Sequence, residues 1–104
     1  MATKKAERYV VAIARAPNSN WARVCFGTLA EQTSDLVVLT DARQALYYDG
    51  KTGGEFGLAA HGPRGDCRIT ATIGRAEMSG FSGLLMDCSG AAVEAWKKAP
   101  SWPV

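Results

Sequence analysis

The chain has 104 residues, of which 47% are apolar and 21% charged, with 12 basic against 10 acidic side chains and a net charge of +2. That length suits one domain with a core of its own, and the composition is that of a folded chain, not a disordered one. The near balance of charge, scattered apart from Lys4, Lys5 and Arg8, argues against duplex nucleic-acid binding, and no apolar run approaches a membrane span.

Residues 9–16 (YVVAIARA) are rich in β-branched side chains and predict a first strand. Pro17, Asn18, Ser19 and Asn20 form a turn. Residues 21–29 (WARVCFGTL) resume as a strand, with Val24, Phe26 and Thr28 on one face and Trp21, Arg23 and Cys25 on the other. Gly27 inside it predicts a bulge or sharp bend. Residues 31–35 are a polar connection. Residues 36–40 (LVVLT) are apolar on both faces, as in a central strand. Residues 41–48 (DARQALYY) fit a short helix capped by Asp41 or a strand, and the preferred reading is a strand opening on a tight turn at Asp41 and Ala42.

Asp49-Gly50 and Gly53-Gly54 mark a hairpin tip or loop, followed by one helical turn over residues 55–60 that Gly62 and Pro63 stop. Residues 67–73 alternate, with Cys67, Ile69, Ala71 and Ile73 on one face, and predict a half-buried strand. Residues 75–83 carry no clear pattern, and residues 84–88 read as a short apolar strand. Ser89 is a suitable N-cap for a helix over residues 91–98, whose Ala92, Ala95, Trp96 and Ala99 share one face. Lys97 and Lys98 suit its C-terminal dipole, and Pro100 ends it. The expected fold is mainly β with one C-terminal helix (α+β), a small five- to six-stranded barrel or half-barrel. It is one domain over residues 1–104, with a core at about 8–99 and tails at 1–7 and 100–104.

The three cysteines, Cys25, Cys67 and Cys88, are odd in number and widely spaced. They read as small buried hydrophobes in a reducing compartment rather than as a disulfide framework. No apolar h-region follows the N-terminus, so the expected location is the cytoplasm. No phosphate-binding glycine motif, nucleophile elbow or paired-carboxylate spacing is present, and His61 is the single histidine. The chain is therefore expected to bind rather than catalyse, with no catalytic residues, no metal and no cofactor.

One ordered set of motifs stands out: Gly27-Thr28-Leu29, then Asp41-Ala42-Arg43, Tyr47-Tyr48 with Gly50, Leu58-Ala59-Ala60 with Gly62, Arg68-Ile69, and Cys88-Ser89 before Ala91. On these residues the chain resembles a family of short, mostly uncharacterised bacteriophage proteins, over about residues 8–99. It departs from that pattern at residues 17–20 and 75–82. The resemblance implies a phage origin. Small phage proteins of this size include sponges of the anti-CBASS and anti-Thoeris type, which sequester cyclic-nucleotide immune signals in symmetric oligomers. The function so implied is capture of a small nucleotide, of the cyclic oligonucleotide or cyclic ADP-ribose class, by a homo-oligomer that inhibits host defence. A shorter likeness, Gly27-Thr28-Leu29 followed by residues 37–42, is to Sm-type barrels, whose rings bind single-stranded RNA. A phage structural or protein-interaction module without a small ligand is the remaining alternative.

A cyclic nucleotide needs an aromatic platform, an arginine fork for phosphate and an acceptor for a base edge. Trp21, Tyr47 and Tyr48 are candidates to stack, Arg43 to hold phosphate and Asp41 to accept from a base amino group. His61 and Arg68 complete the candidate ligand-binding set. Each has a plainer reading. Asp41 and Arg43 share a strand face and can simply stabilise a turn, and one of Tyr47 and Tyr48 is expected in the core. His61 can be an ordinary loop histidine, and Arg68 can belong to a solvated face with Thr70 and Thr72. Trp96 is expected to pack in the core and Trp102 to pin the C-terminal tail.

Overall fold

The computed structural model describes residues 7–15, 22–79 and 83–102. Among these residues six strands form one antiparallel sheet: β1 (Tyr9–Arg15), β2 (Ala22–Gln32), β3 (Leu36–Tyr47), β4 (Arg68–Ile69), β5 (Ile73–Ser79) and β6 (Gly83–Asp87). Helix α1 (Gly54–Ala60) follows a short 3-10 turn at Gly50–Thr52, and α2 (Gly90–Lys98) follows β6. The strand order is β4-β3-β2-β1-β6, with β5 also paired to β3. The mainly β, α+β expectation holds, and the helical turn read at residues 55–60 is α1.

The sheet coils because of one short connection. β5 and β6 lie four strand spacings apart along β5-β3-β2-β1-β6, about 19 Å in a flat sheet at roughly 4.8 Å per spacing. Ser79 and Gly83 are four residues apart, a span of at most about 14 Å. The sheet therefore curls into an open half-barrel, and both of its faces are buried. Val10, Ala12, Cys25, Val37, Leu39, Ala42 and Met78 fill the concave face. Val11, Ile13, Val24, Phe26, Ala45 and Ile69 pack on the other face against Leu58 and Ala59 of α1 and Ala92 and Trp96 of α2. This two-sided burial is why β1 and the first half of β3 lack polar alternation. Trp96 is fully buried, stacks on Phe26 with ring centroids 5.1 Å apart, and donates from Nε1 to the Leu58 carbonyl at 2.9 Å.

The predicted turn at Asp41 is instead a bulge within one continuous strand. Phe26 faces Arg43 and Thr28 faces Thr40, so Asp41 and Ala42 together oppose Gly27. Asp41 takes the left-handed conformation at φ 48, which aspartate tolerates better than most residues. A Cβ on Gly27 would come within 3.0 Å of both Leu39 Cβ and the Thr40 carbonyl, so the sequence signal read there is a real close approach. The bulge reverses the facing of every later side chain. Val37 and Leu39 point into the concave core, whereas Arg43 and Ala45 point to the helix side.

The strand expected over residues 67–73 is corrected. Pairing with β3 is interrupted after Ile69 and resumes at Ile73, which is 54% exposed. At the break Thr70 Oγ1 accepts from the Gln44 amide at 2.9 Å, and Arg43 Nε donates to the Thr70 carbonyl at 2.8 Å. These side-chain bonds supplement the Thr70 amide, which still donates to the Gln44 carbonyl at 2.9 Å. Ser89 caps α2 as expected, accepting from the Ala92 amide at 3.0 Å and donating to the Ala60 carbonyl at 2.7 Å. The positive φ of Gly62, +80°, ends the α1 turn where any Cβ would strike Ala95.

Two outcomes follow for stability. Asp41→Gly is expected to hold or raise stability by up to about 1 kcal/mol and Asp41→Val to lower it by roughly 1–2 kcal/mol, because only the second is penalised in the left-handed region. Urea unfolding of both variants checks this, and a neutral valine would dismiss the bulge. Burial pushes the Cys25 and Cys88 thiols up from the ordinary 9.0, Cys88 to about 12 with help from the Asp87 charge. The unfolded chain then releases these protons first as pH rises, so their stabilisation is whole below pH 9 and declines between 9 and about 12. Urea midpoints measured across that range should fall, and less steeply for Cys88→Ala.

Candidate functional site

Arg43 is the polar centre of the molecule. It is 5% exposed, and its guanidinium donates from Nε to the Thr70 carbonyl at 2.8 Å and from Nη1 to the Trp96 carbonyl at 2.5 Å. The first acceptor lies in the β4–β5 break and the second in the last turn of α2, where carbonyls lack helix partners. Burial alone drives its pKa down from the usual arginine value. Among the described residues no carboxylate lies within ion-pair distance of it.

Two hollows open beside this side chain. One, of about 210 Å³, is walled by Tyr9, Phe26, Thr28, Asp41, Arg43, Thr72 and Lys97. The other, of about 300 Å³, is the mouth of the half-barrel, where Arg23, Gln44, Thr70 and Glu77 surround an apolar floor of Cys25, Ala42, Ile73, Ala76 and Met78, and Arg43 forms part of the wall. No buried side-chain nitrogen or oxygen among the described residues lacks a hydrogen-bond partner. Any donor of Arg43 not bonded to these carbonyls is therefore not sealed in, and Arg43 lines the lip of both hollows.

In the smaller hollow Lys97 Nζ donates to Tyr9 Oη at 3.2 Å and sits 4.6 Å from the Tyr9 ring centroid. That bond to Tyr9 is the main cause of a raised Lys97 pKa, so the ammonium stays charged at neutral pH. Tyr9 in turn lies parallel to Phe26, with centroids 6.1 Å apart. The hollow thus offers two cations, one exposed carboxylate, two threonine hydroxyls and an aromatic edge, and beside it Tyr9 Oη donates to the Glu7 carboxylate. That set suits an anion bearing a flat or sugar-like body. Among the described residues no cluster of three or more His, Cys, Asp or Glu has a metal-binding arrangement.

The predicted residues fall into separate places. Asp41 and Arg43 meet in the small hollow, although the arginine fork is turned inward onto carbonyls. Tyr47 and Arg68 meet elsewhere, at the β3–β4 edge. There the Arg68 guanidinium lies 5.8 Å from the Tyr47 ring and 5.0 Å from the Trp102 ring, with Tyr47 49% and Trp102 44% exposed. The Trp102 amide donates to the Ile69 carbonyl at 2.8 Å and Ser101 bridges Ile69, so the C-terminal segment is pinned as expected. Tyr48 is half-buried against the helix-side core, its pKa raised by burial and then by Glu55. His61 is exposed at the C-terminal cap of α1. Trp21 lies outside the described residues. Sequence reasoning missed Tyr9 and Thr72, and read Lys97 only as a helix-end charge. No local signal links Tyr9 to residues 17 and 88 positions away.

Replacing Arg43 leaves two buried carbonyls without donors. Arg43→Met is expected to cost about 3 kcal/mol, and Arg43→Lys less, since an ammonium reaches one carbonyl more readily than both. Denaturant unfolding with a circular-dichroism readout measures this, and a loss below about 1 kcal/mol for methionine would contradict the pinning role.

No curated protein and no solved structure matches the chain. Residues 12–96 match the family described as Domain of unknown function (DUF6948), a span that runs from β1 to the last turn of α2 and takes in Arg43, Asp41 and both carbonyl partners of the guanidinium. The chain is a member of the DUF6948 family.

Proposed function

We propose that this domain is a non-catalytic binding protein of bacteriophage origin. In this reading it captures a small nucleotide signal, of the cyclic oligonucleotide or cyclic ADP-ribose class, within a homo-oligomer and so blunts host anti-phage defence. The observation that carries the reading is a buried cation without a carboxylate. Arg43 has only carbonyl dipoles for company, and beside it stand Lys97 and an aromatic wall. A buried charge is stabilised most by a full opposite charge. A phosphate seated between the Arg43 lip and Lys97 supplies one, while Thr28, Thr72 and Asp41 are placed to meet hydroxyl or amino groups of the same ligand. The hollows are at or below the small end of the range for drug-sized ligands. One subunit therefore grips a phosphate and its nearest ring and leaves the remainder of the ligand exposed.

A second reading has its own support. The Tyr47–Arg68–Trp102 stack resembles the aromatic and arginine platforms on which single-stranded bases stack, in keeping with an Sm-like RNA-binding ring.

Isothermal titration against a panel of cyclic dinucleotides, cyclic trinucleotides and cyclic ADP-ribose isomers tests the first reading. Micromolar or tighter binding to one of them is expected, weakened at least tenfold by the exposed substitution Lys97→Glu and little changed by Arg68→Ala. Absence of binding across the panel removes it. Salt-sensitive binding to single-stranded RNA that Arg68→Ala abolishes would instead select the second.

A further inference from the structure

We infer that β6 is a self-pairing edge, and that two copies of this chain join through it about a two-fold axis at Leu85. The inference deepens the oligomer half of the reading above and is independent of which ligand is bound.

β6 ends the sheet, and among the described residues no strand pairs with its outer side. Natural edges are guarded by lysine, proline, bulges or charged side chains. β6 has none of the first three: it reads Gly-Leu-Leu-Met-Asp in unbroken register with β1. Its single charge, Asp87, is already paired with Arg8 of the same chain at 2.6 Å. β5, the strand at the opposite margin of the half-barrel, is guarded by its Arg75–Glu77 pair. The contrast favours β6 against β6 over β6 against β5.

The backbone register fixes the axis. Cys88 donates its amide to the Tyr9 carbonyl, so by alternation Met86 and Leu84 also bond towards β1, and Gly83, Leu85 and Asp87 present their amides and carbonyls outward. Antiparallel self-pairing centred on Leu85 sets Leu85 opposite Leu85 of the partner subunit and Gly83 opposite Asp87 of the partner subunit. Every outward group then finds a mate, and no like charges face each other. On the helix side, Leu84 and Met86 border an apolar groove of about 450 Å³ with Ala59, Ala60 and Phe56, and Phe56 is 72% exposed. The same two-fold axis carries Leu84 and Met86 of the second copy to that groove.

Light scattering after size exclusion tests this on the ligand-free full chain. A particle of twice 11.1 kDa is expected. Asp87→Pro removes one outward amide from a position where proline is tolerated, and Phe56→Glu charges the exposed groove. Each is expected to weaken the dimer at least tenfold while leaving the circular-dichroism spectrum unchanged. A monomeric wild-type chain, a larger ring, or a dimer indifferent to both substitutions overturns the inference. The nucleotide titration, repeated on Asp87→Pro, reports separately on the ligand.

Discussion

The guanidinium of Arg43 ties three parts of the molecule together. One donor reaches the Thr70 carbonyl in the interrupted edge and another the Trp96 carbonyl at the end of α2, while the side chain itself rises from β3. Charge-assisted bonds of this kind contribute about 1.5–3 kcal/mol each, and stripping a guanidinium of water costs several kcal/mol. The two terms nearly offset, so what the residue protects is its partners: without it the two carbonyls are left without donors, and its position also sets geometry. It fixes where the edge breaks and how α2 lies over the sheet. Thr70 and Thr72, which take part in the break, line the half-barrel mouth and the small hollow respectively.

Arg43 can do this only because of the bulge two residues before it. Were β3 regular, residue 43 would share a face with Val37 and Leu39 and would drive a cation into the concave apolar core. The left-handed turn at Asp41 opposite Gly27 flips the phase and delivers the arginine to the helix side. Asp41-Ala42-Arg43 is thus a mechanical unit as much as a chemical one: the aspartate pays the conformational cost that places the arginine.

Features carried by local rules were legible in the sequence. Ser89 at the start of α2, the bulge at Gly27, the central position of residues 36–40 and the burial of Trp96 each follow from a capping hydroxyl, a missing Cβ or an apolar run. The β4–β5 break was not, because the alternation over residues 67–73 is that of a strand. What interrupts it comes from Arg43 and Gln44, on another strand. The site was half legible for the same reason. Asp41 and Arg43 are neighbours in the chain and share a hollow, whereas Tyr9 and Lys97 join them only through the Tyr9–Phe26–Trp96 column. The expectation that one of Tyr47 and Tyr48 lies inward is met by Tyr48, which packs against the helix-side core, while Tyr47 is exposed beside Arg68.

The two flanks of the sheet differ in chemistry, and the difference bears on how capture and assembly can coexist. At the β4 flank stand Arg68 with its two aromatic rings and, nearby, the break held by Arg43. Its groups are cationic and hydrogen-bonding, suited to phosphate and base. At the β6 flank the chain offers backbone groups and aliphatic side chains with a single neutralised charge. Apolar seams are non-directional and bury area, whereas phosphate recognition depends on a few donors held in place. In the order β4-β3-β2-β1-β6 the two lie at opposite ends. In the proposed dimer, association through β6 would leave the edge at Arg68 uncovered, and a ligand held there or beside Arg43 would not have to be expelled for copies to join.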